Sequence, residues 1–239
     1  MKPRTKSPAK SVTNVVQFNP LDKKNLGASV ADALLGSDVH PLNEVAAFNG
    51  AGIYALYYVG DFKAYGPVSE RNREGRFQAP IYVGKAVPEG SRQGIVIATQ
   101  DETSALRSRL RQHANSIKAV EAHAAETGQN NLKVQDFFCR YLVVDDVWIP
   151  LAESMLVAMF TPVWNQFLDG FGNNTPGKGR HEGVRPRWDT LHPGRKWAFK
   201  HPERSESVAD IKRDVLNHLN SVCFPLADST PSVVGQQVP

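Results

Sequence analysis

Cysteine is nearly absent from this chain. Cys139 and Cys223 are the only two, and neither belongs to a CxxC pair. That excludes a thiolate metal cluster and a disulfide-stapled scaffold. Cys139 lies inside the apolar run DFFCRYLVV, where it reads as a buried reduced thiol, and the chain reads as a cytoplasmic one. Long apolar runs are also missing, since no window approaches the ~20 residues needed to cross a bilayer. The basic opening MKPRTKSPAKSVTN is not followed by an apolar segment, so a signal peptide is not expected. There is no internal repeat. The excess of one charge is small: 28 Lys plus Arg against 24 Asp plus Glu leave +4, with a pI of about 9.1. Such a balance leans towards polyanionic partners without requiring one.

What is present suffices for a packed core: 239 residues, 41% of them apolar. The positive charge is unevenly distributed. Residues 1–25 carry Lys2, Arg4, Lys6, Lys10, Lys23 and Lys24 against Asp22 alone, and read as a flexible basic arm. A second concentration runs from Lys178 to Arg204, diluted by Glu182, Asp189 and Glu203.

Residues 26–48 contain ASVADALL and NEVAAF, patterned for one or two small helices. GIYALYYVG at 52–60 and PIYVGKA at 80–86 read as strands, rich in β-branched and aromatic residues and bounded by glycine or proline. Their closeness in sequence favours an antiparallel pair, joined by a polar loop over 61–79. A second loop follows over 87–103. A helix is expected over about 104–126, because at about 100° per residue Leu106, Leu110, Ile117 and Val120 form one stripe. VQDFFCRYLVV at 134–144 is a third, central strand. LAESMLVAMF at 151–160 is a helix opened by Pro150, with Thr161 available to cap a further helix after Pro162. A last helix is expected over 206–219, using Val208, Ile211, Val215 and Leu219. The expected architecture is α/β of the α+β kind: a small antiparallel three-stranded sheet flanked by helices, with inserted loops and terminal extensions. The expected divisions are 1–48 (basic arm and short helices), 49–172 (core) and 173–239 (basic extension, helix and tail).

Several residues fit chemistry better than packing. Glu153 stands in an otherwise apolar helix. It either faces solvent near the helix N-terminus, where an acid is favourable, or enters the core, where it needs a cation. Arg109 and His113 are one turn apart on the apolar side of their helix. They either snorkel outward or bring a cation and an imidazole into a site. Arg107, Arg111 and Lys118 fall on a separate basic face. Tyr54 and Tyr82 each lie beside glycine in a strand, which is ordinary sheet packing or room for a ligand. Lys85 follows at the mouth of the second strand.

GIY at 52–54 and YVG at 82–84, with Arg109 in the next helix and Glu153 in a later one, resemble the GIY-YIG nuclease superfamily. The restriction endonuclease branch is the nearer resemblance. It has arginine and histidine four apart, as in Arg109 and His113, and a glutamate followed twelve residues later by asparagine, as in Glu153 and Asn165. The likeness spans roughly residues 50 to 170. The chain departs from the family in two ways: 27 residues (55–81) separate the two tyrosines, and valine replaces the central isoleucine of the second motif.

The resemblance implies a GIY-YIG-like core and hydrolysis of phosphodiester bonds in double-stranded DNA, with catalytic Tyr54, Tyr82, Arg109, His113, Glu153 and Asn165. Glu153 would be the metal ligand for Mg²⁺, for which Mn²⁺ substitutes. Tyr54, assisted by His113, would activate water, and Arg109 would clamp the phosphate. Lys85, Arg92, Arg107, Arg111, Lys178, Arg180, Arg185 and Arg187 are the DNA-contact candidates. A homodimer on DNA, a separate methyltransferase in the same bacterial cytoplasm and a GC-only palindrome such as CCGCGG complete the expectation; no membrane is involved. Two alternatives remain at this point. One is a structure-selective repair nuclease of the same superfamily, the other a non-catalytic DNA-binding protein on the same fold.

Overall fold

The computed structural model describes residue 19 and residues 22–88, 103–173 and 183–222. Eleven regular elements follow in chain order: α1 (Lys23–Leu35), β1 (His40–Pro41), β2 (Gly52–Tyr58), α2 (Gly66–Asn72), β3 (Tyr82–Ala86), α3 (Ala105–Thr127), β4 (Phe137–Val143), α4 (Ile149–Phe160), α5 (Val163–Gln166), α6 (Arg187–Leu191) and α7 (Val208–Ser221). The strands form one antiparallel sheet in the order β1-β4-β2-β3. No helix among the described residues is long and apolar enough to cross a membrane.

β2 carries the fold because every one of its residues is buried. Side chains alternate across a strand, and here that alternation divides the core in two. Tyr54, Leu56 and Tyr58 point towards α3, α5, α6 and α7, among Leu106, Leu110, Trp164, Trp188 and Val215. Ile53, Ala55 and Tyr57 point to the opposite face, among Ala31 and Leu34 of α1 and Ile149, Ala152 and Leu156 of α4. The result is a three-layer α/β/α arrangement. The strand reads as an unbroken apolar run because neither of its faces meets water.

The sequence predicts three strands and the sheet has four. The additional strand is β1, two residues long, pairing His40 with Cys139 and Pro41 with Phe138. Two residues carry no period, so no pattern could announce it. The flexible arm expected over 1–25 gives way to helix at Lys23, and α1 then packs on α4. The expected 61–79 loop holds a 3₁₀ turn (Lys63–Tyr65) and α2. Thr161 does not cap the following helix. It closes α4 in the left-handed region (φ 43°, ψ 51°), and Pro162 takes the position before α5. In α7 the buried stripe is Ile211, Val215 and Leu219, whereas Val208 is exposed. Ser207 caps that helix, its hydroxyl oxygen accepting from the Asp210 N–H at 3.1 Å.

The long β2–β3 connection is fixed by Asn72. Its side chain is fully buried. Nδ2 donates to Tyr58 O (3.1 Å) and Ala79 O (2.8 Å), while Oδ1 accepts from Ala79 N (2.9 Å). One carboxamide thus ties the end of β2 to the approach of β3. Asn72→Ala strands these buried backbone groups, and we expect it to cost about 2–4 kcal/mol by urea denaturation. A loss below about 1 kcal/mol would show that water or a local shift replaces the clamp.

Candidate active site

α3 lays Leu106, Leu110, Ile117 and Val120 on the sheet, and His113 is buried with them. The stripe therefore carries an imidazole to the centre of the core, directly over β2. Tyr54 Oη and His113 Nε2 are 2.7 Å apart, with both groups out of water. Arg109, one turn before His113, lies near enough to both Tyr54 and Tyr82 to lower each phenol, while its guanidinium donates to Gln112 Oε1 (3.1 Å) and to the Gly172 carbonyl. The two tyrosines come from paired strands, and Tyr54 sits opposite Gly84. A β-carbon at Gly84 would run into the Tyr54 hydroxyl, so this glycine creates the space in which the phenols meet.

The surroundings fix the charge of each group. Burial pushes the Tyr54 phenol well above its usual pKa, against a partial lowering by Arg109; the Tyr82 phenol is raised for the same first reason. Burial holds the His113 imidazole well below its usual value, reinforced by the cations of Arg109 and Arg195. At neutral pH both phenols keep their protons and the imidazole is neutral, with a single N–H. In the tautomer that carries this proton on Nδ1, Tyr54 donates its own proton to Nε2 of His113. The site therefore contains a proton path from the Tyr54 phenol to a neutral base.

Glu153 reaches this cluster from the other side. Strand parity puts Tyr82 with Tyr54 on the α3 face, whereas Val83 packs on the α4 face. Lys85 shares the parity of Val83, and its Nζ lies 2.7 Å from Glu153 Oε2. The Glu153 side chain keeps 24% of its exposure, and its negative charge is near enough to raise both phenols. Among the described residues β3 is the edge strand, so no further strand lies between Glu153 on one face and Tyr82 on the other. The ammonium of Lys85 shows that the Glu153 carboxylate accepts a cation here. One hard carboxylate, with phosphate oxygens and waters completing the shell, fits the preference of Mg²⁺. Among the described residues no group of three or more His, Cys, Asp or Glu is placed to hold a metal, so a cation here would rest on Glu153 alone.

Asn165 bonds backbone. Its Oδ1 accepts from Val83 N and its Nδ2 donates to Val83 O, each at 2.8 Å. The carboxamide acts as a one-residue strand on the outer edge of β3, fixing Tyr82 and Gly84 on either side. Its contribution to the site is to position that strand.

The basic candidates divide. Lys85 is ion-paired with Glu153, and Arg111 lies on the exposed side of α3. The Nε of Arg107 is buried without a hydrogen-bond partner among the described residues. Arg187 pairs with Glu206 (2.7 Å) and Asp214 (3.3 Å), lies over the Phe167 ring and is only 16% exposed. Arg185 donates to Ala198 O and lies over Phe199. These last two cations hold the C-terminal segment together. Arg92, Lys178 and Arg180 lie outside the described residues.

Sequence reasoning missed Phe171 and Gly172. The Phe171 ring stacks on His113 (centroids 4.6 Å, 22°) and meets Tyr82 edge-on (4.9 Å, 81°). The Gly172 carbonyl accepts from Arg109 Nη2 at 2.5 Å. The only available signal was the glycine pair of GFG, which marks a turn without indicating what the turn touches.

A family model described as "Eco29kI GIY-YIG domain" matches residues 46–219. No curated protein matches the chain.

Two buried neutral imidazoles make stability depend on pH. His192, like His113, is held well below its usual pKa, first by burial. Unfolding returns each ring to a value near 6.5, so below that pH the unfolded chain takes up protons that the folded chain refuses. Stability is complete above about pH 6.5 and falls as pH drops towards the depressed folded values, by up to about 1.4 kcal/mol per pH unit for each ring. Denaturation between pH 7 and 5 should show this slope, and His113→Gln should remove about half of the histidine contribution. An unchanged slope in that variant would mean that His113 is protonated in the folded protein.

Proposed function

The chain belongs to the Eco29kI GIY-YIG domain family, and from that premise we propose that it is a divalent-cation-dependent endonuclease of duplex DNA, a type II restriction enzyme. The observation that carries this reading is the meeting of Tyr54, Tyr82, Arg109 and His113 in one cluster acted on by the Glu153 carboxylate. A cluster of two phenols, a guanidinium and a neutral imidazole suits a reaction that moves a proton from water while negative charge grows on phosphate.

Attack by water on phosphorus needs a proton acceptor that is free at neutral pH. Tyr54 fills this role without prior ionisation, because it takes the water proton as it passes its own to His113 Nε2. The relay leaves Tyr54 a neutral phenol and the proton on His113, whose lowered pKa favours its release after turnover. Tyr82, beside it on β3, orients the water or a phosphate oxygen. Arg109 places its charge beside both phenols and supplies the fork that holds two non-bridging oxygens as charge accumulates. Glu153 would hold Mg²⁺ or Mn²⁺, which when bound supplies a Lewis acid at the phosphate and aids departure of the 3′ oxygen. Lys85, released from Glu153 by that cation, is free to meet the DNA backbone.

Cutting both strands of a palindrome suits a homodimer with one site per strand. CCGCGG is the sequence we propose to test first. Arg92, Arg107, Arg111, Lys178 and Arg180 are the proposed duplex contacts, whereas Arg187, paired with Glu206 and Asp214, and Arg185, bonded to Ala198 O, are assigned to packing of the C-terminal segment. Such an enzyme acts in the bacterial cytoplasm, beside a methyltransferase that protects the host sites without forming a stable complex with it.

The test is digestion of long, unmethylated duplex DNA with and without Mg²⁺, beside Glu153→Ala and Arg109→Ala. Discrete fragments that require the cation are expected, with each variant slowed at least about 100-fold. End-sequencing would then give the recognition site. Tight duplex binding without cleavage by the wild-type protein would overturn the nuclease reading in favour of a binding protein.

A further inference from the structure

We propose that Arg195, held by Asp189, is a positioning residue for the Tyr54–Tyr82–Arg109–His113 site, acting by pinning the Gly170–Asn173 turn that places Phe171 on His113 and Gly172 on Arg109. This rests on the reading of that site as catalytic.

Arg195 and Asp189 form a buried ion pair within the C-terminal segment, 6% and 1% exposed. The guanidinium meets the carboxylate side-on, Nε to Oδ1 at 2.7 Å and Nη2 to Oδ2 at 2.5 Å. Its remaining contacts leave the pair. Nη2 donates to Gly170 O at 3.0 Å and Nη1 to Asn173 O at 3.1 Å. The guanidinium carbon lies 4.6 Å from the ring centroids of both Trp188 and Trp197, which fixes the plane of the fork. The two carbonyls it grips bracket Phe171 and Gly172.

Those bracketed residues have no regular structure to hold them. Gly170 and Gly172 take φ of +115° and +81°, a turn that only glycine enters without strain. Yet both Phe171 and Gly172 touch the site. The Phe171 ring covers the His113 imidazole, and the Gly172 carbonyl takes one of the Arg109 donors. A β-carbon at Gly172 would lie 2.6 Å from Tyr82 Oη, so the turn's backbone also abuts the second phenol.

Burial of the pair alone would not require this geometry. Buried ion pairs are often replaceable by apolar residues of similar size without loss of stability. A planar fork bound to a carboxylate at one edge and two carbonyls at the other specifies orientation, which an apolar substitute cannot. The Arg195 charge is also felt at His113, consistent with their proximity.

The experiment uses the full chain with Arg195→Lys, Arg195→Met and Asp189→Asn, each alone and in the Arg109→Ala background. Three quantities are read: the single-turnover cleavage rate, the duplex Kd in Ca²⁺, and the His113 ring resonances by NMR. Arg195→Lys keeps the charge but cannot hold Asp189 and both carbonyls. We expect it to fold, to slow the cleavage step about 10- to 100-fold with Kd changed less than about threefold, and to shift the His113 ring signals as Phe171 moves. In the Arg109→Ala background the same substitution should cost clearly less than in the wild-type chain, since the route through Gly172 to Arg109 is already lost and only that through Phe171 to His113 remains. An equal loss in both backgrounds, or a folded variant with unchanged rate and unmoved His113 signals, overturns the proposal. If both Arg195 variants fail to fold, Asp189→Asn decides by the same criteria, with Phe171→Leu as the direct test of the stack should it too fail. If the wild-type protein cuts no duplex, the nuclease reading fails on its own. The His113 resonances then decide the positioning role: unmoved signals reject it, shifted signals support it.

Discussion

A single hydrogen bond between two buried groups, Tyr54 Oη and His113 Nε2 at 2.7 Å, is the contact on which the rest of the site depends. It joins the central strand to the long helix at the one place where both must give up water. Neither partner tolerates a charge there, so both are held neutral and one carries the proton that the other lacks. The apolar residues around them make this arrangement stable: Leu106, Leu110 and Ile117 seat the helix, and each is fully buried. A shift in the helix register would carry His113 off Tyr54 and leave two polar atoms unpaired in the core, a costly outcome that selects one packing.

Around this contact the molecule arranges charge by layers. Arg109 arrives on the same helix face, where its charge acts on both phenols. Glu153 arrives from a helix on the opposite side of the sheet and meets Lys85 at the strand edge. The two layers cooperate because, among the described residues, β3 has no strand beyond it. Asn165 satisfies that open edge with both atoms of its carboxamide while leaving room for side chains to pass. An additional strand in that place would have completed the sheet and separated the carboxylate from the phenols. The edge, usually a liability to be covered, is here where the two faces of the protein meet.

Much of this was legible beforehand, and the legible parts share a reason. β2, β3, β4, α3, α4 and α7 each span several repeats of their own period, so the sequence pattern marks them. Arg109 and His113 could be placed on the apolar face of α3 by angle alone, and the structure buries His113 there. The features that escaped were short or non-local. β1 has two residues, α2 sits in a polar stretch, and Thr161 takes a left-handed conformation that its type does not announce. Arg187 read as a free cation until Glu206 and Asp214 were seen beside it.

The sequence by itself determined the repertoire: which segments are helix or strand, which side chains carry chemistry, and the spacing that puts Arg109 and His113 on one face. These follow from backbone periodicity, a property of residues a few positions apart. Only the tertiary structure decided how that repertoire is connected. It made Asn165 a substitute strand for Val83 and turned Glu153 towards Lys85. It brought Phe171 over His113, with Arg195 gripping the turn beneath. Each of these contacts joins residues whose separation in sequence carries no information about their distance in space. They are fixed by the packing of two cores against one sheet, where a buried polar atom without a partner is costly and few positions offer one.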